Sequence, residues 1–121
     1  MSWLDTLGSL FGQAAPAPAP DARNYLLARQ LAERGLDNPA RQPAALLAAA
    51  QAAFPGLTAA AGQALLHELD EVQRHAYDLA SAVNRHELSE AEAHQQLQAA
   101  FPQLTPDNRR RLLTQALVNT R

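Results

Sequence analysis

The string QAAFPGLT at 51–58 returns as QAAFPQLT at 98–105, differing only at Gly56 and Gln103. No other feature constrains the fold as strongly, because two copies of one segment must find the same local structure and pack as related units. The 47-residue register continues past the string, setting Leu65 and Leu66 opposite Leu112 and Leu113. Upstream it becomes 52, so that Tyr25, Leu27, Ala28, Leu31, Leu36 and Asp37 fall opposite Tyr77, Leu79, Ala80, Val83, Leu88 and Ser89. The first copy therefore carries five extra residues around 38–43.

The repeated motif reads as Phe-Pro-x-Leu-Thr. The Phe anchors the end of one helix, Pro forbids its continuation, and Thr caps the next helix. Leu57 and Leu104 precede the caps, where an apolar side chain fixes the entry angle of the chain. This is structural chemistry, and it implies that Tyr25 matches Tyr77, and Phe54 matches Phe101, in equivalent core places.

Around these turns the composition is helical, rich in Ala, Leu, Gln, Arg and Glu, with aromatic residues at only 5%. Apolar spacing predicts a first helix over 22–34 closing on Gly35. A second start falls at Asp37 or Asn38 with Pro39, followed by an Ala-rich helix to Phe54. Leu65, Leu69, Val72, Ala76, Leu79 and Val83 keep a 4, 3 spacing, which predicts a long helix from Thr58 to about His86. Ser89 and Glu92 stand in capping-box spacing for a fourth helix, and Thr105 with Pro106 opens a fifth. The expected fold class is all-α: a five-helix bundle of two duplicated units sharing the long central helix. Such a helix would be about 43 Å long, more than a domain with a radius of gyration near 14 Å spans. A neighbouring subunit touching Leu69, Val72, Ala76 or Leu79 would cover the excess, so a homo-oligomer is expected.

Ahead of the bundle, Trp3, Leu4, Leu7, Leu10 and Phe11 fall on one stripe of a helix over 1–11, opposite Ser2, Asp5, Thr6, Gly8 and Ser9. An Ala/Pro linker over 12–21 follows, favouring extended polyproline geometry, and the duplicated helical domain occupies 22–121. A stripe of Trp, Phe and three Leu on so short a helix is not stable in water uncovered. Its expected cover is a protein partner or self-association, or the chain's own bundle. A membrane surface is the alternative, weakened because the polar face has no Lys or Arg.

The remaining chemistry is sparse. A net charge of -2 gives no global field for nucleic acid, which is not an expected partner. With no Cys, thiolate chemistry and Cys-based metal sites are excluded. Glycine-rich phosphate loops, nucleophile elbows and HExxH motifs are absent, so neither an enzyme nor a small-molecule substrate or cofactor is expected. His67, Glu71 and His75, and again His86, Glu90 and His94, repeat at spacings of four and could form a small metal-binding bundle. The expectation is nonetheless solvated histidines and no metal. Arg109, Arg110 and Arg111 form the one basic run, spread around a helix turn, and are a candidate anion contact. The segment lacks the basic start of a secretory signal, so the expected setting is cytoplasmic, with a membrane-peripheral position as the alternative. Together these features predict a non-enzymatic interaction or adaptor module docking through its N-terminal helix.

Overall fold

The computed structural model describes residues 19–33 and 38–121, and the described residues form α-helices and one short 3-10 turn, with no strand. Helix α1 spans Ala19–Ala32, α2 Pro43–Ala53, α3 Ala59–Asn84, α4 Glu90–Ala100 and α5 Pro106–Asn119. The first helix starts three residues earlier than its apolar spacing implies, taking 19–21 from the linker. A proline in the first turn forfeits no helical hydrogen bond, so Pro20 is compatible with that start. The expected cap at Gly35 and the stripe over 1–11 lie outside the described residues.

Each start and stop has a local cause. Asn38 accepts from the Ala40 N–H at 3.0 Å and begins the 3-10 turn Pro39–Arg41, which occupies the place of the five extra residues. Thr58 caps α3 through the Ala61 N–H at 3.1 Å, and Thr105 caps α5 through the Asn108 N–H at 3.3 Å. Ser89 and Glu92 make both halves of the capping box, at 3.0 and 2.9 Å. The long helix stops at Asn84, two residues before the expected His86. There the His86 N–H reaches the Val83 carbonyl and the Glu87 N–H reaches the Ala82 carbonyl, both at 2.9 Å. That paired return is a Schellman closure, with His86 at φ 62° in the position glycine usually fills.

The two Phe-Pro turns adopt one backbone geometry. Phe54 has φ -130° and ψ 84°, and Phe101 has φ -134° and ψ 70°. The Phe54 N–H reaches Ala50 at 2.8 Å and the Phe101 N–H reaches Leu97 at 2.9 Å. At the 47-residue register, Leu46 with Ala93, Ala50 with Leu97, Leu57 with Leu104, Leu65 with Leu112 and Leu69 with Ala116 are all buried.

The tyrosines behave differently, which corrects the expectation that they share a core place. Tyr25 is half-buried with its ring edge-on to Phe54, whereas Tyr77 is 51% exposed and His75 takes the edge of Phe101. The same asymmetry runs along both helices at the 52-residue register: Ala22 and Leu26 are buried, while Arg74 and Asp78 are exposed.

Three helices, α1, α3 and α5, pack on one another, with α2 laid over α1 and α3, and α4 laid over α3 and α5. The polar cross-links proceed in the same order along each member: Arg23 to Glu68 and Gln30 to Gln73, then Asn24 to Gln103 and Gln115 to Leu31. The three helices therefore run parallel. Gly62 faces α2 across the flexible Cδ1 end of the Leu47 side chain. This arrangement also corrects the expected subunit contact. Leu69, Val72 and Ala76 are fully buried and Leu79 is 7% exposed, covered within the one chain. The length of α3, about 39 Å at 1.5 Å per residue, is shared between two overlying helices rather than left bare.

Candidate functional site

One concave surface among the described residues combines apolar floor and polar rim. It lies where α1 ends and α3 and α5 continue, an open groove of about 280 Å³ lined by Leu31, Gln73, Tyr77, Leu112, Gln115 and Ala116, with Arg74 and Asn119 at its edge. Leu31, Leu112 and Ala116 are buried and Tyr77 stands over them half in solvent. The wall is fixed by two amide hydrogen bonds, Gln73 Nε2 donating to Gln30 Oε1 at 2.6 Å and Gln115 Nε2 to the Leu31 carbonyl at 2.9 Å. Further on, Asn84 Nδ2 donates to the Leu117 carbonyl at 3.1 Å and to Thr120 Oγ1 at 2.7 Å, so α3 and α5 stay side by side past the end of α1. The lining holds no carboxylate, imidazole or thiol. Such a surface can bind an apolar group with a polar edge, but it offers no acid-base pair.

A second polar cluster is structural. Asn24 on α1 donates from Nδ2 to the Gln103 carbonyl at 3.0 Å and accepts at Oδ1 from the Thr105 N–H at 2.9 Å. Buried Asn108 closes the cluster, its Nδ2 donating to the Asn24 carbonyl at 3.0 Å and to Oδ1 at 3.1 Å. Beside it Arg23 pairs with Glu68, and Gln103 Nε2 lies 3.5 Å from the same carboxylate. The Arg23 hydrogen bond, reinforced by its charge, holds the Glu68 carboxyl below its ordinary value against partial burial. This cluster went unread in the sequence although it leaves a signal: Asn24 begins the 24, 27, 28, 31 spacing of an apolar stripe, where a polar residue needs a buried partner.

The sequence-derived candidates are placed as follows. Trp3, Leu4, Leu7, Leu10 and Phe11 lie outside the described residues. Arg109 turns inward and donates to the Leu104 carbonyl at 2.7 Å, while Arg110 pairs with Asp107 and Arg111 Nη1 lies 3.6 Å from the same carboxylate. The basic run is thus engaged within its own helix start and turn rather than gathered into one patch. Among the described residues no three His, Asp or Glu side chains are grouped to hold a metal ion. His75 packs edge-on to Phe101 at 5.4 Å between ring centroids, and His94 Nε2 lies 4.0 Å from Glu90.

No helix among the described residues is long and apolar enough to cross a membrane. Compared with known proteins, the chain matches no protein-family model, no curated protein and no solved structure.

Proposed function

We propose that this chain is a non-enzymatic interaction module: a duplicated helical scaffold that presents the Trp3, Leu4, Leu7, Leu10 and Phe11 stripe to an apolar groove on a protein partner. One observation carries the reading. The described bundle covers its own large apolar side chains except Tyr77 and Val118, so the scaffold needs no partner to complete its core. The stripe over 1–11 has no such self-sufficiency, since a helix of about ten residues is marginal alone in water and gains its order by burying its apolar face. The Ala/Pro composition over 12–18 favours extended polyproline geometry, which suits a segment that reaches away from the bundle. Duplication supports a scaffold role as well, because the repeated residues are those that pack and cap.

The test compares the immobilised full chain with the double substitution Leu4→Glu and Leu7→Glu in an extract of the source organism, alongside flotation with vesicles of neutral and anionic phospholipid. A defined protein retained by the unmodified chain and lost on substitution is the expected result. Equal retention by both forms would remove the stripe from the contact. Flotation abolished by the same substitutions, with no protein retained, would move the reading to a membrane surface.

A further inference from the structure

We draw no further inference here: the strongest candidate, the charge-free face of exposed alanines that α2 and the first turns of α3 present between Pro43 and Ala64, is a surface of small residues, and nothing in the structure shows what covers it.

Discussion

Helix α1 and the second half of α3 correspond at a register of 52 residues and share Leu27 with Leu79 as buried positions, yet they live in different surroundings. The first packs on α2, α3 and α5, and buries Ala22 and Leu26 as well. The second leaves Arg74 and Asp78 in solvent and Tyr77 over an open groove. The turns that follow differ in the same sense. Around Phe54 the added cover is an aromatic ring from α1. The second turn is held by the Asn24 amide, and Phe101 meets an exposed histidine. Local chemistry can therefore repeat faithfully while the neighbours that complete it do not.

The largest test of this contrast is Asn24→Ala. It removes the side-chain bonds to the exposed Thr105 N–H, the Gln103 carbonyl and the Asn108 amide, which keeps its bond to the Asn24 main-chain carbonyl, and should cost about 3 kcal/mol at roughly 1 kcal/mol per bond. The substitution Ala76→Asn, at the register partner, would supply no equivalent cluster. Chemical denaturation of Asn24→Ala, Asn108→Ala and the double substitution should show a coupling of at least about 1 kcal/mol. Additive losses would mean that α1 grips the second turn by packing alone.

A smaller difference is expected between the rings that flank the two Phe residues. Tyr25→Ala removes a half-buried ring lying 5.6 Å from Phe54 and should cost about 2 kcal/mol. His75→Ala removes an exposed ring from Phe101 and should cost no more than about 1 kcal/mol. Equal losses in urea titrations would show that the two turns are covered alike after all.

The smallest effect is the pH dependence that Glu68 adds to the first half. Glu68 has its carboxyl lowered in the folded chain by Arg23, so its contribution is present above the unfolded carboxylate value and fades as pH falls through the lowered folded value. Its register partner is Gln115, which does not titrate there. With the side chain about a third exposed, solvent screening keeps the term to less than about 1 kcal/mol. Thermal midpoints of Glu68→Gln and of the unmodified chain should therefore differ near neutrality and converge in acid. Glu92, lowered by the Ser89 N–H and hydroxyl, remains in both proteins and cancels from that comparison. A constant difference across the acid range would mean that the Arg23 contact owes nothing to charge.

Much of the local structure was legible before any coordinates. Thr58, Ser89 and Thr105 cap helices as their spacing implies, and both Phe-Pro breaks fall where proline removes a donor. Burial of the 4, 3 stripe in α3 was legible too, but not what covers it: an apolar stripe asks for a cover and does not say whether a subunit or the same chain supplies it. The groove was hidden for a related reason. Tyr77 matches Tyr25 in sequence, yet Tyr25 packs against Phe54 while Tyr77 is 51% exposed beside α5.

The sequence by itself determined the helices, their caps and the repeated turn, because those depend on hydrogen bonds and steric limits acting within a few residues of each other. The tertiary structure alone decided that α1, α3 and α5 lie parallel, that Asn24 serves a turn some eighty residues away, and that one tyrosine is covered and its partner is not. Those outcomes turn on which surfaces exclude water from each other, a property of the assembled chain rather than of any one segment.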